Sequence, residues 1–391
     1  METATRRSMT YSSSSSRFSS LDVFRGIAIA GMLLVNKSGL VKEAYPQLLH
    51  ADWHGWTLAD LVFPFFLVVL GASMAFSMAR HTASLTQPKR AVYLKILRRS
   101  AVLFGLGLFL NGFWSFNFST LRVMGILQRI SLTYLASAFV ILKLPRKSQW
   151  GLTGLLLVGY WLALSFIPVP EFGPGNLTRT GNFGAYIDRL IIGSSHLYVG
   201  DQFNSMGDPE GLFSTLPAIA TVLLGYFAGD WIRKRGSGLK IKTSRQSLAL
   251  ASYGLFSTGL GLLWSIWFPI NKKLWTSSYV LFTVGIALIL LAVCYELIEV
   301  RRIRLWSKPF EVLGLNSIAV FMASVLVIKV LVLTKLGSGE DAINAFTWLF
   351  QHLFLTWASP DLGSFLFAFL TLCFWWIVAY ILYRQQWFFK I

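Results

Sequence analysis

The chain has 391 residues, of which 55% are hydrophobic and only 13% charged, and its mean hydropathy is +0.59. A soluble domain carries about 25% charged residues, so this composition excludes a set of water-coated domains and points to a polytopic membrane protein. The net charge of +18 indicates nucleic-acid binding on a soluble chain, but on a membrane chain it records orientation.

The first twenty residues are polar, with an unbroken serine run from Ser12 to Ser16, and read as a disordered cytoplasmic tail. Residues 21–391 read as one transmembrane domain. A spanning helix needs roughly 20 apolar residues, and ten stretches qualify: residues 21–40, 58–79, 96–114, 121–142, 150–168, 212–232, 247–268, 275–298, 309–333 and 363–383. The expected fold is therefore all-α with about ten transmembrane helices. The first stretch lacks a small-residue cleavage site, so it is read as a retained span. Residues 343–357 are aromatic but short, as expected of an interfacial or re-entrant helix. The two cysteines, Cys294 and Cys373, both lie in apolar runs, which leaves neither a disulfide framework nor a cysteine metal cluster.

Basic residues cluster after alternate spans: Arg80 to Arg99 after the second, Lys143 to Lys147 after the fourth, Arg233 to Arg245 after the sixth, and Arg301 to Lys308 after the eighth. The 37–57 loop and the long connection 169–211 are much poorer in them. The positive-inside rule then puts both termini in the cytoplasm and those two connections outside, and nearly all the excess charge becomes cytoplasmic.

Charged and polar side chains near the spans carry the functional hypotheses. Asp22 and Arg25 share a helix face and read either as a structural ion pair or as a mouth for a phosphorylated donor. Asn36 ends the first span. The segment His50-Ala-Asp52-Trp53-His54-Gly-Trp56-Thr57-Leu-Ala-Asp60 opens the second. Thr57 suits the N-cap and Asp60 the first turn; the same carboxylate can also orient a histidine as a general base. Trp53 and Trp56 can stack on a sugar ring. With no third His or Cys close by, a metal site is not expected. Arg122 and Arg129, seven residues apart, fall near one face of the predicted fourth span and either neutralise an anion or pair with acids elsewhere. Asp208 and Glu210 close the long outer connection in a Gly-Asp-Pro-Glu-Gly turn. Asn316, inside the ninth span, is by its residue type interhelical glue.

In order along the chain, LDVFRGIAIAGMLLVN (21–36), HADWHGWTLADLVFPFFLVVLG (50–71), RVMGILQRISLTY (122–134), GDPEGLFSTLPAIATVLLGYFAG (207–229), NKKLWTSSYV (271–280) and LGLNSIAVF (313–321) resemble the heparan-α-glucosaminide N-acetyltransferase family. The resemblance implies an enzyme that uses cytosolic acetyl-CoA to acetylate the amine of a terminal glucosamine across the membrane. It implies His50 as the active histidine with Asn36 and Asp60 beside it, and matches Arg122, Asp208, Glu210 and Asn316 to family positions. His54 departs from the asparagine usual there, and the interval from Asn36 to His50 is longer than expected. The resemblance also suggests a compact, bacterial-type member without the amino-terminal lumenal region of animal enzymes, and favours a homodimer.

The resulting expectation is acetyl-CoA entering from the basic face, with Arg25, Arg98 and Arg99 as candidates for its phosphates. An amino-sugar or glycan acceptor would meet Trp53, His54, Trp56, Arg122, Arg129, Asp208, Glu210 and Asn316, with no metal and no nucleic acid involved. The rival readings are a permease or flippase for a sugar or glycan precursor, and an O-acyltransferase of cell-envelope glycans.

Overall fold

The structure is a computed structural model in which residues 18–38, 44–83, 89–236, 243–337 and 342–389 are described. The serine run and the rest of the expected tail through residue 17 lie outside them. Among the described residues the chain is almost wholly helical: α1 (Ser19–Ser38), α2 (Leu58–Ser77), α3 (Ala79–Ala83), α4 (Arg90–Gly112), α5 (Ile126–Lys143), α6 (Arg146–Phe166), α7 (Phe183–Ile192), α8 (Thr215–Gly236), α9 (Ser244–Trp264), α10 (Ser277–Tyr295), α11 (Lys308–Leu315), α12 (Ser317–Leu333), α13 (Ala345–Leu353) and α14 (Pro360–Arg384). A two-residue antiparallel ladder, Lys335–Leu336 with Ile343–Asn344, leads into α13.

Among the described residues eight helices are long and apolar enough to cross a membrane, and there are up to nine if α11 and α12, bent by 78° about Asn316, form one broken span. Nine of the ten stretches predicted from the sequence each overlap one long helix, whereas 309–333 falls on two, α11 and α12. However, α4 carries Arg90, Lys95, Arg98 and Arg99 in its first half and is not among the eight. The short aromatic segment becomes α13, started by Asn344, whose side chain accepts from the Thr347 amide at 2.7 Å.

Lipid tails are as apolar as leucine, so helices in a bilayer associate through close backbone approach. The pairs α2–α8 and α9–α10 have the most extensive contacts. A Cβ built on Gly71 of α2 would lie 1.9 Å from the Val222 carbonyl oxygen. Across the same seam, Gly225 and Gly229 of α8 meet the backbone of Val68 and Ala72. Helix α2 is thereby central, with nearly every residue from Ala59 to Ala75 buried. That position matters because its first turn carries Asp60. By contrast a Cβ on Gly105 of α4 would meet nothing within 4 Å.

Gly71→Leu is therefore expected to destabilise the detergent-solubilised protein by about 1–3 kcal/mol or more through overpacking, whereas Gly105→Leu leaves its unfolding temperature within a degree or two. Thermal unfolding of the two variants side by side checks this.

Candidate active site

Residues 44–57 meet the 169–211 connection at one end of the bundle, where Trp53 Nε1 donates to Leu177 O at 2.8 Å and Arg179 to the Asp52 carboxylate at 2.6 Å. Their focus is Asp60, whose side chain is 1% exposed. The sequence spacing Thr57-x-x-Asp60 produces a capping box: the Asp60 Oδ2 accepts from the Thr57 amide at 3.0 Å. The same oxygen accepts from the Ala51 amide at 3.0 Å, while Oδ1 meets His50 Nδ1 at 2.8 Å. The Thr57 hydroxyl donates to Leu49 O at 2.6 Å, which folds the loop back over the helix terminus.

The main-chain oxygen of Asp60 is satisfied in an unusual way. Its helical partner would be the amide of residue 64, but that residue is a proline with no N–H. Tyr279 of α10 supplies the missing donor, its hydroxyl lying 2.5 Å from Asp60 O.

An ionised carboxylate only accepts, so the 2.8 Å contact to Asp60 requires the proton of a neutral His50 ring to sit on Nδ1. Nε2 is then the basic, nucleophilic nitrogen. Lys272 Nζ stands 3.0 Å from Nδ1 and 3.3 Å from Nε2, and 3.4 Å from Asp60 Oδ1. Burial and the Lys272 ammonium hold the His50 pKa below its ordinary 6.5, against the opposing pull of Asp60. Burial likewise lowers Lys272, opposed by Asp60 and Glu210.

His50 opens on a cavity of about 220 Å³. Asn36 of α1, Val62 and Phe63 of α2, Arg122, Tyr198, Asp201, Glu210, Lys272, Lys273 and Trp275 line it. Arg122 forms a fork on Asp208, with Nε at 2.8 Å and Nη2 at 2.6 Å, and Nη2 also reaches Glu210 at 2.6 Å. Burial opposes its charge, but these carboxylates raise its pKa further, and the two arginines nearby hold Glu210 ionised despite burial. The Arg122 guanidinium also stacks on Tyr198, 4.2 Å from the ring centre.

Arg122 and Arg129 do not share a helix face, as the predicted span 121–142 implied. Helix α5 begins at Ile126, and Arg122 lies on an extended stretch pinned by Asn111, whose amide donates to Arg122 O and Met124 O at 2.9 Å each. Arg129 is fully buried behind Trp275, 4.8 Å from its ring, and donates to Gly211 O and Ser214 Oγ. Asp208 sits beneath Glu210 as the buried partner of Arg122.

Other expected site residues are placed elsewhere. Trp53 and His54 line a second, more open cavity of about 330 Å³ with Leu177, Thr178 and Arg179. Asp52 and Lys273 link the two cavities: Lys273 Nζ lies 3.1 Å from Asp52 O and 3.2 Å from Asp201, and Arg179 lies 2.6 Å from the Asp52 carboxylate. Burial holds His54 below its ordinary pKa. Trp56 is 42% exposed, packs on Phe282 and lines neither cavity. Asn316 is also away from both, because its amide is occupied in the α11–α12 bend: Nδ2 donates to Trp387 O and Oδ1 accepts from Phe389 N, both at 3.0 Å. Of the three arginines expected at the coenzyme, Arg25 bonds Asp22 at 3.2 Å and Ser73 at 2.6 Å, Arg99 covers Tyr134 at 4.7 Å, and Arg98 is exposed. Among the described residues no group of three or more His, Cys, Asp or Glu is placed to hold a metal ion.

Lys272, Lys273, Asp201, Tyr198 and Tyr279 were not singled out from the sequence. A signal existed for the lysines: two adjacent cations in a connection on the side that the charge rule depletes of them.

Helices long and apolar enough for a bilayer surround a histidine–aspartate dyad at the wall of a polar cavity, the arrangement of a multi-helix membrane enzyme with an oriented imidazole base or nucleophile. The family described as "Heparan-alpha-glucosaminide N-acetyltransferase, catalytic" matches residues 17–268, and the chain belongs to that family. It is 30% identical to the human heparan-alpha-glucosaminide N-acetyltransferase over 96% of its own length and 60% of that protein's. With the mouse protein of the same name it shares 29% identity, over 97% and 61% respectively. The chain thus spans about 60% of the length of these curated relatives.

Tyr279→Phe is expected to cost about 1–3 kcal/mol by orphaning the Asp60 carbonyl, and Pro64→Ala, which returns an amide at residue 64, to recover part of that loss. A double-mutant cycle on unfolding free energy measures the coupling. Arg122→Ala, which strands two buried carboxylates, should cost about 3–5 kcal/mol, with Arg122→Lys less harmful in the same thermal assay.

Proposed function

We propose that this protein transfers an acetyl group from acetyl-CoA, drawn from the cytoplasmic side, to the amine of a glucosamine-type sugar at the outer end of the bundle. The observation that carries this reading is the His50–Asp60 dyad at the wall of a cavity, with Nδ1 held by the Asp60 carboxylate, in a chain of an N-acetyltransferase family. The charge asymmetry of the connections supports cytoplasmic termini, ten crossings and an outward-facing cavity.

In direct transfer the acceptor nitrogen attacks the thioester carbonyl while Nε2 takes its proton; the C–S bond breaks and the coenzyme thiolate leaves, recovering that proton from the imidazolium. In the covalent variant Nε2 itself attacks, the thiolate departs, and the amine then displaces the acetyl group from the imidazole. Asp60 orients the ring in both. Asn36, on the cavity wall, is suited to donate its amide hydrogens to the carbonyl oxygen as charge develops there. Glu210 and Asp201 are acceptors for the amine before it loses its proton. Trp53 and His54, in the adjoining cavity, serve the rest of the acceptor. Arg25, Arg98 and Arg99 remain the proposed contacts for the coenzyme phosphates.

The test is release of coenzyme thiol by protein in nanodiscs, given acetyl-CoA and a panel of amine and hydroxyl sugars with products identified by mass. Glucosamine should be acetylated on nitrogen; His50→Ala should abolish turnover, and Asp60→Asn should lower kcat by about 10²-fold or more. Turnover unchanged in His50→Ala would sink this reading, and product formed only on hydroxyl sugars would replace it with O-acylation. Labelled acetyl-CoA alone distinguishes the two routes, since acetylated protein accumulates only in the covalent one.

A further inference from the structure

The lysine at position 272 lies just beyond the region that the family description matches, yet its ammonium is the cation nearest the dyad. Its position relative to the ring is informative. Nζ is almost equidistant from the two ring nitrogens, 3.0 and 3.3 Å. Their lone-pair directions diverge, so a donor equidistant from both is in line with neither. The ammonium therefore flanks the imidazole without capping Nε2, and it rests on the Asp60 carboxylate at 3.4 Å.

The other charges around His50 are spent on one another. Lys273 pairs with Asp201 at 3.2 Å, and Arg122 with Glu210 at 2.6 Å and with Asp208. Helix α1 contributes Met32, Val35 and Asn36 to this wall, all uncharged. Asp60 from α2 and Lys272 from the turn before α10 are the two opposite charges in contact with the ring, with the Asp201 carboxylate adding a weaker pull toward the imidazolium. Asp60 alone would stabilise an imidazolium, and an imidazolium has no lone pair with which to attack or to accept a proton.

We propose that Lys272 is a positioning residue that offsets Asp60, so that His50 stays neutral and protonated on Nδ1 while Nε2 faces the cavity. The two groups then act on different properties of the ring. Asp60 sets the tautomer, and Lys272 keeps that geometric partner from charging it. Burial first and the Lys272 ammonium second hold His50 below its ordinary pKa, against the opposing pull of Asp60 and Asp201. Loss of the ammonium lets His50 protonate at higher pH, and any reaction needing Nε2 then loses its acid range first.

This inference rests on the acetyl-transfer reading only for its kinetic arm, because the protonation of His50 can be followed without turnover. Diethyl pyrocarbonate acylates only neutral imidazole, so the pH midpoint of His50 modification, read by peptide mass spectrometry on the full chain in nanodiscs, reports its titration. Lys272→Met is expected to raise that midpoint by about one pH unit or more, with Lys272→Gln behaving alike and serving if the first variant folds poorly. Lys272→Arg keeps the charge and should leave the midpoint within a few tenths of a unit. In turnover, the acid limb of kcat/KM should move by the same amount, so that Lys272→Met loses roughly tenfold more activity below that limb than on its plateau. An unmoved midpoint in both neutral variants, or an equal displacement in Lys272→Arg, overturns the proposal. A shifted midpoint in a protein that releases no coenzyme thiol upholds the role of Lys272 and overturns the acetyltransferase reading.

Discussion

One end of this bundle depends on a single buried carboxylate. Asp60 closes the N-terminus of α2, ties down the amides of Ala51 and Thr57, and orients His50, while Lys272 stands against it. An anion is stable there because the helix terminus presents unpaired amides and a positive dipole end. The requirement is mutual: without the anion those amides would be buried and unsatisfied. The catalytic geometry and the stability of the loop are therefore not separable at this residue. Pro64 extends the dependence to α10, since its missing amide leaves the Asp60 carbonyl to Tyr279.

A second polar network does similar work across the cavity. Arg122 reaches the site on an extended stretch, and Asp208 and Glu210 come from a tight turn before α8. Buried ions are costly unless paired and hydrogen-bonded, and here the pairing bridges segments 86 and 88 residues apart in sequence. Arg129 completes the support from behind Trp275. Charge at this end is thus mostly neutralised in pairs, and the pair in contact with the His50 ring is Asp60 with Lys272.

The helices were legible because a bilayer demands long apolar runs, and the backbone must satisfy itself within them. The capping role of Asp60 was legible because it depends on a spacing of three residues. The Arg122–Arg129 relation was not, because seven-residue spacing implies a shared face only where a helix exists, and the chain there is held extended by Asn111 and turns helical only after Gly125. Asn316 reads from sequence as a polar residue inside a span; only the 78° bend and the returning C-terminal segment reveal how its amide is used. Trp56 and Trp53 are three residues apart, yet one packs on Phe282 and the other faces the second cavity.

The order and polarity of the segments, the helical class, the histidine with its aspartate and the family were determined by the sequence alone, since each follows from local pattern. Which distant side chains meet at that histidine was decided only by the tertiary structure. Lys272 is 222 residues from His50, and Tyr279 is 219 from Asp60. Contacts at that separation arise from how helices pack, and the close glycine seam that brings α2 and α8 together leaves no mark in the residues that finally touch.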